Sequence, residues 1–219
     1  FAEKLSRMGV KIISTGGTAK ALKEAGLKVT GIESVTGFPE MMDGRVKTLH
    51  PKIHGALLGL RDKSEHVAAM KEHKIEPIDM VCVNLYPFEQ TIAMGSCTLE
   101  EAIENIDIGG PSMIRSAAKN HKFVTVVTEP GQYERVIEEM QSNNGAVSER
   151  LRNDFARIAF GLTASYDAAI AKYLNGRGGI EFPGRMSIAV RKDMPLRYGE
   201  NPHQKAAFYK LPLNSETSV

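Results

Sequence analysis

Short apolar runs alternate with helix-period segments over residues 1–140, and this alternation restricts the fold more than any other feature of the chain. Residues 10–13, 29–32, 79–85 and 123–127 read as strands. Residues 2–8, 18–25, 65–74, 99–105, 112–119, 132–140 and 148–174 carry helical patterns, the last long enough to break. Successive strands separated by helices pair in parallel, with the helices on the sheet faces. The run DMVCVNL at 79–85 is almost continuously apolar, which predicts a strand buried on both faces. Local signals agree: Gly9 and Gly26 stop helices, Thr98 with Glu101 predicts a capping box, and Pro111 suits a first helical position. The expected fold is therefore α/β, a parallel sheet flanked by helices, with further helices after it. In such sheets ligands sit beyond the carboxyl ends of the strands. The loops at 14–18, 37–55, 84–88 and 107–111 follow strands or precede helices and are expected to converge on one face.

The texture changes after Gly176. GRGGIEFPGR reads as a linker, and MPLRYGENPHQKAAFY as the opening of another unit. With 219 residues there is room for one full domain and part of another, at roughly 100–200 residues each. A net charge of +2 gives no argument for nucleic acid, and no apolar stretch approaches the ~20 residues that span a bilayer. The two cysteines, Cys82 and Cys97, give no disulfide framework and fit a reducing, cytosolic compartment.

Four stretches carry chemistry. STGGT at 14–18 ends a strand and opens a helix, so its backbone N–H groups and the hydroxyls of Ser14, Thr15 and Thr18 form an anion cradle that Gly16 and Gly17 leave open. The alternative is a tight turn with a helix cap. GRVKTLHP supplies Arg45, Lys47 and Thr48; the two cations are i, i+2 and face one side of an extended loop, as a phosphate dianion requires. The alternative is a solvated basic loop. His50 and His54 have the i, i+4 spacing of a metal pair, but no third ligand stands at a recognisable spacing. Val83, Asn84 and Tyr86 lie at a strand end, Asp107 stands before a glycine pair, and Lys119 follows twelve residues later near a helix C-terminus.

STGGTAKAL, GFPEMMDGRVKTLHPKIHG, NLYPF, IDIGGPSMIRSAAKNH and LRYGENPHQ, in this order, resemble the bifunctional purine-biosynthesis family that joins AICAR transformylase to IMP cyclohydrolase. The resemblance implies a methylglyoxal-synthase-like fold. It divides the chain into a cyclohydrolase domain at 1–178, a linker at 179–194 and the start of a transformylase domain at 195–219. It implies closure of formyl-AICAR (FAICAR) to IMP with loss of water, the last step of de novo purine synthesis. Ser14, Thr15, Gly16, Gly17, Arg45, Lys47 and Thr48 would hold the phosphate and ribose, and Val83, Asn84, Asp107, Ile108 and Gly109 the base. Lys119 would be the proton-transfer lysine, assisted by Lys47, Tyr86 and Asp107. Arg197 and Tyr198 match a substrate-contacting pair of the transformylase domain. The resemblance also places a first strand and a Ser/Lys loop upstream of Phe1, and a Lys-His catalytic segment beyond Val219, so no transformylase activity is expected from this chain. No metal or cofactor is implied for ring closure; formyl-tetrahydrofolate belongs to the transformylase step. A cytoplasmic homodimer of the full-length protein is implied.

The chemistry suits these residues. The carboxamide nitrogen of the substrate attacks the formyl carbon of the same molecule, so freezing the reactive rotamer supplies much of the rate. Asp107 is the candidate acceptor at the carboxamide N–H. Backbone N–H groups, Tyr86 and Lys119 are candidate donors to the departing oxygen. Lys47 close to Lys119 would lower the pKa of the latter. A methylglyoxal-synthase-like lyase, and a regulatory domain that binds IMP without turnover, are the competing readings.

Overall fold

Parallel pairing begins immediately after the first helix. In the computed structural model, which describes residues 1–93 and 95–211 without the side chain of residue 43, α1 (Ala2–Arg7) leads into β1 (Ile12–Ser14), α2 (Gly16–Glu24) and β2 (Val29–Gly31). Ile12 aligns with Val29 and Ser14 with Gly31 in a parallel ladder. α3 (Ile32–Thr36), a 3-10 turn at Met42–Gly44, α4 (Pro51–Leu58) and α5 (Ser64–Glu72) then precede β3 (Met80–Cys82). After α6 (Phe88–Ala93) and α7 (Leu99–Glu104) come α8 (Gly109–Lys119) and β4 (Thr125–Val127), which pairs in parallel with β3, Val81 opposite Val126. A 3-10 turn at Pro130–Gln132 leads into α9 (Tyr133–Ser142) and α10 (Glu149–Arg177). β5 (Arg191–Leu196) and β6 (Ala206–Lys210) close an antiparallel hairpin. The expected parallel α/β arrangement is thus present, as two two-stranded parallel pairs among the described residues.

The chain divides into two compact units, Phe1–Leu85 with Asp107–Gly161, and Tyr86–Ile106 with Leu162–Val219. The first contains the main core: Ile53 and Leu57 of α4, Ile114, Ala117 and Ala118 of α8, Val126 and Val127 of β4, Val136 and Ile137 of α9, and Leu151 and Phe155 of α10. α8 is the hub, packing on α4, β3 and β4. Its apolar positions 114, 117 and 118 recur at three- and four-residue spacing and line one face. Burying each of the larger core side chains contributes about 1.5–3 kcal/mol. In the second unit Phe88 is buried with its ring edge-on to Tyr166 and Tyr173, and the Tyr166 hydroxyl donates to the carbonyl of Asn105. The segment 195–219, expected to open a further domain, is described as far as residue 211; residues 212–219 lie outside the described residues.

Several expectations are corrected. Residues 79–85 are not a strand buried on both faces: β3 is three residues long, only Val81 is buried, and Cys82 is exposed. β4, with Thr125, Val126 and Val127 all buried, is the strand with that character. The loop at 37–55 contains a 3-10 turn and the start of α4; Pro51 takes the first helical position, where its absent N–H costs nothing, and His50 Nδ1 accepts from the Lys52 N–H at 3.1 Å. α8 begins at Gly109, not at 112, so Pro111 falls third in the helix, still within the turn whose N–H groups have no intrahelical partner. α10 is one unbroken helix of 29 residues. β5 begins inside the stretch read as a linker.

Candidate active site

The glycine pair after β1 sits where a bound anion would need it. Ser14 ends β1, Thr15 is extended (φ −139°, ψ 161°), and Gly16 opens α2 with φ +55°, a left-handed conformation that suits glycine. The first N–H groups of α2, including those of Gly16, Gly17 and Thr18, therefore face out of the helix end. A cavity of about 370 Å³ opens here, lined by Ser14, Thr15, Gly16, Lys20 and Gly31 among others. Thr15 Oγ1 is buried and meets no hydrogen-bond partner among the described residues.

The loop at 45–48 connects this cradle to a second helix end. Lys47 Nζ, on a partly buried side chain, pairs with Oε1 of the exposed Glu40 at 2.8 Å, and a Cβ placed on Gly16 would lie 3.6 Å from that ammonium. One residue on, Thr48 Oγ1 lies 2.8 Å from where a Cβ on Gly109 would stand. Lys47 thus faces the start of α2 and Thr48 the start of α8. Arg45, directly after the 3-10 turn, is exposed. At α8 the carboxylate of Asp107 accepts from the Gly110 N–H at 2.8 Å, which ties the acid to the positive end of the helix. Ile108 is exposed beside it.

The third element is the end of β3. The Val83 N–H donates to the Val127 carbonyl at 3.0 Å, extending the ladder by one bond and presenting Asn84, which is exposed, beyond the strand. Asn84 Oδ1 accepts from the Tyr133 hydroxyl at 3.4 Å, and Cys82 Sγ lies 3.7 Å from the same hydroxyl. Burial pushes Tyr133 up to about 12, with the Cys82 contact adding to the effect, and burial likewise raises the Cys82 thiol.

The other expected residues lie on other elements or element ends. Lys119 is exposed at the C-terminal end of α8, about 15 Å from the Asp107 end at the rise of an α-helix. Lys47 pairs with Glu40, and Thr48 beside it meets the Gly109 end of α8. Tyr86, Arg197 and Tyr198 belong to the second unit, where all three are exposed. The histidine pair has other work. His50 caps α4, and His54 Nδ1 is hydrogen-bonded to Ser116 Oγ at 2.9 Å. Among the described residues no cluster of His, Cys, Asp and Glu could hold a metal ion, and no helix is long and apolar enough to cross a membrane. Sequence reasoning missed Glu40, whose only signal was an acid seven positions before Lys47, and Tyr133, which was read as an ordinary residue of a helix.

Two family models between them match most of the chain. Residues 1–112 match the family model of the MGS-like domain, and residues 117–219 that of the AICARFT/IMPCHase bienzyme. The chain belongs to the bifunctional purine-biosynthesis family. The bifunctional purine biosynthesis protein PurH of Thermoanaerobacter sp. is 58% identical over 215 residues, an alignment covering 98% of this chain and 42% of that protein. PurH of Halalkalibacterium halodurans is 55% identical, with 100% and 43% covered. This member of the family therefore spans a little over two fifths of the length of such relatives. A solved structure, the crystal structure of ForH, superposes with a TM-score of 0.66 at 33% identity, covering 78% of this chain and 88% of that one.

Proposed function

We propose that this chain carries the IMP cyclohydrolase reaction, closing FAICAR to IMP with loss of water. The observation that carries the reading is the 45–48 loop, which sets Lys47 against the start of α2 and Thr48 against the start of α8, where Asp107 is tied down. Two helix N-termini joined in this way suit an anionic group at one end and a polar ring at the other. The phosphate lies on α2 at Thr15, Gly16 and Gly17, with Lys47 and Arg45 supplying charge and the unpartnered Thr15 hydroxyl a hydrogen bond. The base lies beyond β3 against Val83, Asn84, Asp107, Ile108 and Gly109.

In the reaction, the carboxamide nitrogen forms a bond to the formyl carbon and passes a proton to Asp107. The former formyl oxygen, first an alkoxide, takes up that proton and departs as water with a second one, given up by the N–H of the formamido nitrogen as this nitrogen forms the C=N double bond of the ring. Backbone N–H groups at the start of α8 stabilise that oxygen as charge develops. Tyr86 and Lys119 are the further proton carriers implied by the family. Ring closure needs no cofactor in this reading, and formyl-tetrahydrofolate serves the transformylase step in the remaining length of such proteins. The setting is cytoplasmic and the full-length protein a homodimer.

The test is IMP formation from FAICAR, followed by ultraviolet absorbance, with IMP affinity measured by calorimetry. Turnover that falls at least a hundredfold in Asp107→Ala supports the reading, as does IMP affinity weakened about tenfold or more in Lys47→Ala. Absence of both turnover and IMP binding in the parent protein rejects it, and IMP binding without turnover favours a regulatory domain. Lys119→Ala decides the part of the distant lysine: lost turnover at unchanged IMP affinity assigns it proton transfer, and retained turnover leaves the chemistry to the Asp107 end of α8.

A further inference from the structure

Cys82, Tyr133 and Asn84 form a hydrogen-bonded chain at the carboxyl end of β3, and the ring closure described above makes no use of Tyr133. Tyr133 is the first residue of α9, and its ring lies flat on that of Phe1, with centroids 4.3 Å apart and planes 9° from parallel. That stack fixes where the hydroxyl stands. Among the described residues the hydroxyl bonds Cys82 Sγ at 3.7 Å and Asn84 Oδ1 at 3.4 Å. Both the thiol and the phenol carry their protons at neutral pH, which lies below the ordinary value of each group. The thiol donates to the phenolic oxygen, and the phenolic O–H donates to the carbonyl oxygen of Asn84. A side-chain amide whose oxygen is engaged in this way has its two N–H donors left to offer.

We propose that Tyr133 is a positioning residue, fixing the amide of Asn84 with its NH2 group toward the ligand so that the site selects an oxygen acceptor on the base. The proposal rests on the ring-closure reading. It also gives that reading a means of choosing the reactive rotamer. The substrate carboxamide has an oxygen end and a nitrogen end. When Asn84 donates to the oxygen, the nitrogen is left to face the formyl group and can attack it. A rotated Asn84 amide accepts from the nitrogen instead and holds the carboxamide the wrong way round. Tyr133 touches no reacting atom, yet it sets which of the two orientations is bound. The same polarity distinguishes product-like nucleotides, since IMP carries an oxygen acceptor at the 6-position and AMP an amino donor.

The experiment measures IMP and AMP affinities by calorimetry on the intact protein, for the parent, Tyr133→Phe, Asn84→Ala and the double variant. Phenylalanine keeps the ring that stacks on Phe1, and a melting curve checks that the fold is retained. The parent is expected to prefer IMP. Tyr133→Phe is expected to lose about three- to tenfold of that preference, the equivalent of one hydrogen bond, and the kcat for ring closure falls by a similar factor. Added to Asn84→Ala, it is expected to change nothing further. An unchanged preference in Tyr133→Phe, or the same loss when Asn84 is already alanine, overturns the role of Tyr133 and leaves the ring-closure reading standing. A parent protein that binds neither nucleotide overturns both.

Discussion

Gly110→Ala is the substitution that most cleanly separates the chemistry of Asp107 from the stability of the fold. Gly110 is buried at the start of α8, and its N–H donates to Asp107 Oδ1 at 2.8 Å. A Cβ at this position would run into Oδ2 of Asp107, its nearest neighbour, and would stand 2.9 Å from the carboxyl carbon and 3.1 Å from Oδ1. Ordinary contact begins near 3.4 Å, so the carboxylate must retreat by about 0.5–1 Å. Two stability effects oppose each other. Loosening the cap costs about 1 kcal/mol, and replacing glycine by alanine in a helix returns about 0.5–1 kcal/mol. The net change is expected to be below about 1 kcal/mol, a melting shift of no more than about 4 °C for a chain of this size. Turnover is a different matter, because an acid displaced by about 1 Å from a reacting N–H loses up to about a hundredfold in rate. Gly110→Ala is therefore expected to melt close to the parent and to form IMP from FAICAR roughly 10–100-fold more slowly, as read by ultraviolet absorbance. Parent-like turnover at parent-like stability would falsify the placement of Asp107 as the proton acceptor.

Three further outcomes are expected. Asn120→Ala removes the buried amide that donates to the carbonyls of Leu57 at 2.7 Å and Gly59 at 3.1 Å; a loss of about 1–3 kcal/mol by denaturant unfolding is expected, and an unchanged midpoint counts against the clamp. Thr98→Ala breaks the capping box in which Thr98 and Glu101 bond each other's backbone N–H groups; calorimetric melting should show a loss of about 1 kcal/mol. His54 is held below its ordinary value near 6.5 chiefly by burial, against an opposing bond to the Thr48 backbone. The folded chain thus binds fewer protons at this residue than the unfolded chain does. The stability it contributes is complete above about pH 6.5 and is lost as pH falls from there toward its folded-state value. The parent melting temperature should fall more steeply from pH 7 to pH 5 than that of His54→Gln, and parallel slopes would remove His54 from the account.

What the sequence made legible was mostly local. Thr98 and Glu101 announce their capping box because both partners lie within one turn. Gly16 and Gly17 mark the cradle because a strand ends and a helix starts around them. The start of α4 was hidden by density of glycine, proline and charge, although Pro51 at the first helical position was itself the signal. The continuous apolar run at 79–85 promised burial on both faces, but exposure is set by what packs from elsewhere, and Cys82 faces the hydroxyl of Tyr133 from a helix 51 residues later. The same limit applies to the site. Asp107 and Gly109 are adjacent in sequence and remain together, while Thr48 meets Gly109 only through the tertiary fold. Lys119 was grouped with Asp107 on resemblance, and once α8 is seen to start at Gly109 the rise of an unbroken helix separates them.

α8 is fastened at both ends, by Asp107 at its start and by Asn120 just past its finish, and it buries Ile114, Ala117 and Ala118 between them. α2, by contrast, buries only Ala19. The two helices that frame the candidate site therefore differ in how they open. Amide protons in the middle of α8 should exchange with solvent only when the unit unfolds as a whole, whereas those of α2 exchange through local fraying. A nucleotide seated across both would slow exchange in α2 and leave α8 almost unchanged. Its phosphate would complete the order of one wall, and its base would meet a wall already rigid.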